Sequence, residues 1–435
     1  MTVTTLAARS FTLANLARGL ALASSLAALT ACAGPTGPAG AAGAAGADGS
    51  NGTDGTNGTD GTNGTNGVDG TNGTNGTNGV DGTNGTDGAS GLAPAIYTMT
   101  NDAAGNAIAA FERDDSGLLY PLGTFATGGL GSGSGLGSAY AVAFDAESNR
   151  FFVVNAGDNT VSMLQLLSSD GALDLLDVED SGGTLPVSVT VNAGRVFVVN
   201  QGNAAGAVAA NIAGFSVDDY DLTPIANSNQ PLASANPTPT TIQFSPDGAF
   251  VIVTEKTTDM IDTFAIAANG SASAALANPS VGQTPFGFVF NDDGIMLVSE
   301  AFGGTANASA VSSYTLGSDG HLTAVSSSVG TQQTAACWMS QVGPYAWAAN
   351  TGSNNVTGYN VASDGTLSLL DGNGVSGVTG DGASDSAVSS DGKFLYVLNS
   401  HGSHTVSSFS IADDGSLTKL PDVALPAGAV GLIAR

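Results

Sequence analysis

Ser390-Asp391-Gly392-Lys393-Phe394-Leu395-Tyr396-Val397-Leu398-Asn399, followed after a short loop by Thr405-Val406-Ser407-Ser408-Phe409-Ser410-Ile411, decides the fold. An Asp-Gly turn feeds an apolar, aromatic and β-branched run that ends in Asn, and a second run returns towards it. With Ser386–Ser389 ahead of this pair and Ser416–Leu420 after Asp414-Gly415, four strands stand in hairpin order.

The unit recurs upstream. Its strand ending in Asn or Glu reads YTMTN to Asn101, FFVVN to Asn155, VFVVN to Asn200, VIVTE to Glu255, LVSE to Glu300 and YAWAAN to Asn350, before FLYVLN to Asn399. Successive spacings are 54, 45, 55, 45, 50 and 49 residues. Seven four-stranded units of that period predict an all-β, seven-bladed propeller over residues 95–435. The turn before the outermost strand is Asp-Gly at Asp170-Gly171, Asp319-Gly320, Asp364-Gly365 and Asp414-Gly415, and Asn269-Gly270 and Ser116-Gly117 take the same place in two other units. Such pairs supply the positive φ of a tight turn. The first unit lacks a strand, and the chain ends in an unpaired apolar run, Ala429 to Ala434. Pairing that run innermost beside Ala95 to Asn101 closes the ring and removes an edge.

Ahead of the propeller, glycine falls at every third position from Gly34 to Gly91, twenty times, as GPT and GPA and then GTN, GTD and GVD triplets. This is the collagen period, in which only glycine fits the axis of three polyproline II chains. Residues 34–91 therefore read as a collagen-like stalk, about 170 Å long if extended. A homotrimer through the stalk and a solvated extended coil both remain open, because only Pro35 and Pro38 pre-set the backbone.

Arg9 and Arg18 precede the apolar run Leu20 to Leu29, and Leu29-Thr30-Ala31-Cys32 follows. The run is too short to span a bilayer, and the tetrapeptide resembles the bacterial lipobox. Residues 1–31 are expected to be a lipoprotein signal peptide, Cys32 the lipidated residue at the head of 32–33, and the protein an exported one anchored to a membrane, with the outer membrane or cell surface as destination. Once Cys32 is acylated, Cys337 is left as an unpartnered, buried thiol.

Nine Lys and Arg against 37 Asp and Glu exclude nucleic acid as a partner and disfavour anionic headgroups. The acidity serves solubility, or attracts a cation; calcium fits it but nothing in the sequence requires a cofactor.

Phe244-Ser245-Pro246-Asp247-Gly248 and Ser390 to Val397 resemble the lactonase seven-bladed propeller family, of the YVTN and 6-phosphogluconolactonase-like type, over Ala95 to Arg435. The resemblance implies a site at the channel mouth where innermost strands begin and second strands end. In the fifth unit, Thr284 to Phe290 and Ser299-Glu300 resemble the family's stretch with Pro-Arg-His and Asn-Glu. Glu300 is kept, but Phe286 and Gly287 stand in place of the basic pair that would hold an anionic substrate. The resemblance thus leaves the question of an enzyme open.

Candidate pocket residues are Asn155, Asn200, Glu255, Glu300, Asn350 and Asn399 at the second-strand ends, with Lys256, Phe286 and Trp338. Asparagines there also end strands well by bonding turn backbone, and the two aromatics also suit packing between blades. Three functions fit. The first is a surface-displayed lipoprotein whose propeller binds an extracellular ligand, a glycan or another cell surface. The second is an exported lactonase for a neutral lactone, with Glu300 as base and catalytic residue. The third is a structural envelope or biofilm component assembled through collagen-like trimers.

Overall fold

The computed structural model describes residues 95–167, 171–203, 208–402 and 404–435. The expected signal peptide over residues 1–31, Cys32 and the collagen-like repeat lie outside them.

Seven antiparallel sheets form the blades. Their innermost strands are Val142–Asp145, Pro186–Asn192, Pro239–Phe244, Pro285–Phe290, Ala336–Val342 and Ala383–Val388 for blades two to seven, and Val430–Ala434 for blade one. The expected closure is present. Val430–Ala434 lies antiparallel to Ala95–Met99, with Ile96 opposite Ala434 and Thr98 opposite Leu432, and the Arg435 N–H donates to Ala95 O at 2.8 Å. Joining the two chain ends in one sheet removes the edge that either alone would present.

The repeated strands Arg150–Asn155, Arg195–Asn200, Phe250–Glu255, Met296–Glu300, Tyr345–Asn350 and Phe394–Asn399 are the second strands of their blades, as the repeat predicts. They are buried on both faces, Phe250–Glu255 at every position. The reason is geometric, because a blade's two faces look at the neighbouring blades and not at solvent. Their sequences are accordingly continuous in hydrophobicity instead of alternating. Phe197 meets Phe244 edge-on at 5.5 Å between blades three and four, and Tyr97 packs on Phe151 at 4.5 Å between blades one and two. Outermost strands such as Leu119–Ala126 are mostly exposed.

The Asp-Gly turns do more than reverse the chain. Asp414 accepts the Ser416 N–H at 3.0 Å, and Gly415 has φ 79°. A Cβ there would lie 2.6 Å from the Tyr345 ring of the preceding blade, so glycine also lets the turn tuck under its neighbour.

Candidate functional site

Every innermost strand from blade three to blade seven, and that of blade one, carries an irregularity near its start, where one extra residue opposes the second strand. A bulge of this kind re-aims a side chain. The extra residues are Val187, Thr240, Cys337, Asp385 and Gly431, with Phe286 or Gly287 in blade five, all near the mouth where innermost strands begin.

That mouth is closed by a segment to which the sequence reading gave no role. Thr127 to Ala141 links the outermost strand of blade one to the innermost strand of blade two, and its Gly- and Ser-rich run from Gly128 to Ser138 has no strand or helix period. The chain runs in over the axis at Gly137–Tyr140. Lys256 Nζ of blade four donates to Gly137 O at 3.0 Å, and Trp338 Nε1 of blade six donates to Ser138 O at 2.9 Å. Ser138 Oγ donates to Val187 O at 2.7 Å, and the Ala139 N–H donates to Thr240 O at 2.9 Å. Tyr140 has φ 58°, and its hydroxyl reaches across the ring to Phe288 O and Met339 O, both at 3.4 Å. The insert therefore bonds to blades three to six, and Asp385 of blade seven accepts its Tyr140 N–H.

Two ionisable groups hold this plug, neither in an ion pair among the described residues. The Lys256 ammonium is enclosed, although the residue as a whole is partly exposed. It sits 5.4 Å from the centre of the Phe286 ring, and loss of solvent lowers its pKa to about 8. Asp385 also accepts the Gly431 N–H at 2.6 Å, and burial pushes its carboxyl up to about 7 against those hydrogen bonds.

Phe286 and Trp338 meet edge-on at 5.0 Å between blades five and six, with Phe286 fully buried and Trp338 5% exposed. Neither presents a free face at the mouth. A Cβ on Gly287 would lie 2.6 Å from Cys337 O, so no side chain fits where the family resemblance implies a basic one. Cys337 is buried as expected.

The strand-end residues are buried hubs within and between blades. Asn155 donates to Thr160 and Ser162 Oγ at 3.0 and 2.7 Å, and accepts from Asn106 and Thr127 of blade one. Asn350 donates to Asn355 and Thr357, Asn399 to Thr405 and Ser407, and Asn200 to Ser181 O. Glu300 accepts from the Gly282 N–H at 2.9 Å, Ser312 Oγ at 2.5 Å and Ser328 Oγ at 2.6 Å, all in its own blade or the loop leading to it. Burial raises its pKa while these donors oppose the rise. Glu255 accepts from Thr258 Oγ1 and contacts Asp262. The structure thus brings Lys256, Phe286 and Trp338 together at the plug, and leaves the strand-end ring dispersed among the blades.

The open space lies at the opposite mouth, where the innermost strands end. A cavity of about 450 Å³ has Tyr140 among its lining residues, with walls that include Gln243, Phe290, Ser340, Gln341 and Ser386. Among the described residues, no Lys, Arg, His, Asp or Glu lines it. The Gln243 amide donates to Phe288 O at 2.8 Å and the Gln341 amide to Phe290 O at 3.2 Å, so the innermost strands of blades four to six are stitched around it. Gln341 Oε1, Ser340 Oγ and Ser386 Oγ are buried in the wall and have no hydrogen-bond partner among the described residues. The repeat could not single these residues out, since they sit at the strand ends farther from the mouth on which the family resemblance focuses.

Comparison with known proteins agrees with this architecture. The profile of the family "Lactonase, 7-bladed beta-propeller" matches residues 210–337, and the "Collagen triple helix repeat" matches residues 34–93 in 20 copies. No curated protein matches the chain in sequence. Among solved structures, the periplasmic gluconolactonase of Pseudomonas aeruginosa is similar at 16% identity and a TM-score of 0.59, over 78% of this chain and 99% of that one. A Bacteroides fragilis protein assigned as a 6-phosphogluconolactonase gives 19% and 0.58, over 79% and 98%. A hypothetical selenium-binding protein of Sulfolobus tokodaii gives 9% and 0.58, over 79% and 93%. Likeness at this level of identity is likeness of fold.

Proposed function

From a lactonase-type seven-bladed propeller behind a collagen-like repeat, we propose a displayed binding module that does not hydrolyse lactones. Cys32 carries the lipid, residues 34–91 form the spacer, and the propeller takes an extracellular ligand in the cavity at the mouth where its innermost strands end. The observation that carries this reading is the filling of the other mouth by Gly137–Tyr140, with Lys256 and Trp338 engaged on that segment's carbonyls. Glu300, the carboxylate that a lactonase reading would use as base, is held by three donors inside blade five. A general base must reach the proton it removes, and these contacts point away from the axis. A spacer of about 170 Å suits a module that must reach another surface better than one that meets diffusible substrate.

The test is lactone hydrolysis in a pH-stat by the mature full-length protein, across neutral and anionic lactones. No turnover above background is expected, and turnover that disappears in Glu300→Gln would overturn the reading in favour of an exported lactonase. Metabolic labelling with a clickable fatty acid, lost in Cys32→Ser, tests the anchor.

A further inference from the structure

We propose that the outer seam between blades one and two is the surface through which propellers of this chain meet one another, once the collagen-type repeat has wound three copies together. This goes beyond the binding reading above and does not depend on it.

The place of the contact follows from where the repeat ends. Its last glycine is Gly91, and only Leu92, Ala93 and Pro94 stand between it and Ala95, a reach of at most about 14 Å. A triple helix admits no side chain at its axis, so three chains leave it side by side. A propeller over residues 95–435 has a radius of gyration of about 20 Å. Three such bodies on tethers that short adjoin one another, and they do so close to the residue at which each chain enters. Ala95 stands opposite Glu112, and Glu112 opposite Tyr120, which puts Tyr120 two strands outward, about 10 Å away.

The surface met there is apolar. Tyr120 is 50% exposed and Leu122 38%, both on the outermost strand of blade one, Leu119–Ala126, which carries no charged residue. Across the seam, Leu175 on the outermost strand of blade two is 43% exposed, and Leu167 on the strand before it 37%. A Cβ on Gly171 of blade two would lie 2.8 Å from Leu122, and one on Gly128, just past the outermost strand of blade one, 2.8 Å from Leu175. The exposed side chains therefore lie against the neighbouring blade and form one patch. The acids of the blade-two strand do not break it, since Asp177 turns to blade three and accepts the Leu222 N–H at 2.8 Å.

A second copy suits this patch. In a chain of net charge −28, copies repel over most of their surface, and the strand of blade one escapes that repulsion. Pro121 and the extra residue at Leu122 spoil the strand for edge-to-edge pairing, so the contact is one of side chains. Four side chains fall short of an interface that holds by itself, but the repeat supplies an effective concentration on the order of millimolar.

The experiment is photo-cross-linking of the mature chain, residues 32–435 with Cys32→Ser so that no lipid clusters the copies. The probe, p-benzoylphenylalanine, replaces Tyr120 or, as the control, Val325 on the equally uncharged outermost strand of blade five, which is 38% exposed. Sedimentation velocity gives the number of chains, and thermal melting verifies the fold of each variant. The expected result is a trimer in which the probe at 120 yields about tenfold more chain-to-chain product than the probe at 325, mapped to blades one and two of another copy. Leu122→Lys with Leu175→Lys should remove that product and leave the trimer. A monomer would overturn the proposal outright. A trimer in which the probe at 120 yields no more than the control, or in which the product survives the paired lysines, would overturn the interface.

Discussion

Glu255 and Asp262 are neighbouring carboxyls on one face of blade four, at a place where blades two, five, six and seven pair a strand-end residue with a hydroxyl. The equivalent pairs are Asn155 with Ser162, Glu300 with Ser312, Asn350 with Thr357 and Asn399 with Ser407. In blade four, Glu255 Oε1 and Asp262 Oδ1 have no donor, and both residues are fully buried. Burial first, and then the Glu255 charge, raise the Asp262 pKa to about 7.

A carboxyl whose pKa is higher folded than unfolded favours the folded state most below its unfolded pKa, and that contribution is lost as pH rises towards the folded value. Stability should therefore decline between about pH 4 and pH 7 on account of this pair. Asp262→Ser recreates the arrangement of Glu300 with Ser312. It should gain about 2 kcal/mol over the parent at pH 8, with much less difference at pH 4, as read by urea unfolding at both pH values. Equal shifts at the two would show that the pair does not titrate as argued.

Lys256 works in the opposite sense. A base with a pKa lowered by burial weakens the folded state while it stays charged, and the penalty fades as pH rises from about 8 towards the unfolded value of 10.5. Lys256→Met keeps the stem packed on Phe286 and removes the ammonium. At pH 7 it should raise stability by about 1 kcal/mol, after subtraction of the lost bond to Gly137 O, and the advantage should vanish near pH 10. Hydrogen exchange at Ala139 and Tyr140 should quicken in the variant, since one tether of the plug is gone.

Glu300→Ala should cost about 2–3 kcal/mol, because it strands the Gly282 N–H and the Ser312 and Ser328 hydroxyls in a buried place. Glu300→Gln should cost less.

Removal of residues 428–435 takes away the strand that pairs with Ala95–Met99, including Leu432, which packs with Ile96, Phe111 and Tyr396. It also leaves Asp385 without the Gly431 N–H. The melting temperature should fall by at least about 10 °C, whereas deletion of residues 34–91 should leave it within about 2 °C.

The chain has two cysteines, Cys32 and Cys337. Acylation consumes the Cys32 thiol, so the lipidated mature protein should release one titratable thiol on unfolding without reductant. A chain that has not been acylated should release two once it is reduced. Ellman titration of membrane and unprocessed fractions distinguishes the two.

The blade count, the second strands and the closing role of residues 430–434 were all legible in the sequence. Each rests on local grammar, an Asp-Gly turn or a hydrophobic run ended by Asn or Glu, and four-stranded blades repeat that grammar at a fixed period. The same holds for the glycine period of the stalk, which one steric rule imposes. What the strand-end residues face was not legible, because side-chain direction depends on how each blade stands towards its neighbours. The faces of a second strand look along the ring and not into the channel, so Asn155 is spent on hydrogen bonds that include one from blade one, Glu300 on bonds within blade five, and neither reaches the axis. Nor did any periodicity announce Gly137–Tyr140, since a Gly- and Ser-rich segment becomes a plug only when Lys256, Trp338, Thr240 and Asp385, far apart in sequence, converge on its backbone. The cavity with Gln341 and Ser386 exists for the same reason: ring closure sets its walls and the plug shuts the channel's other mouth, and both are products of long-range packing.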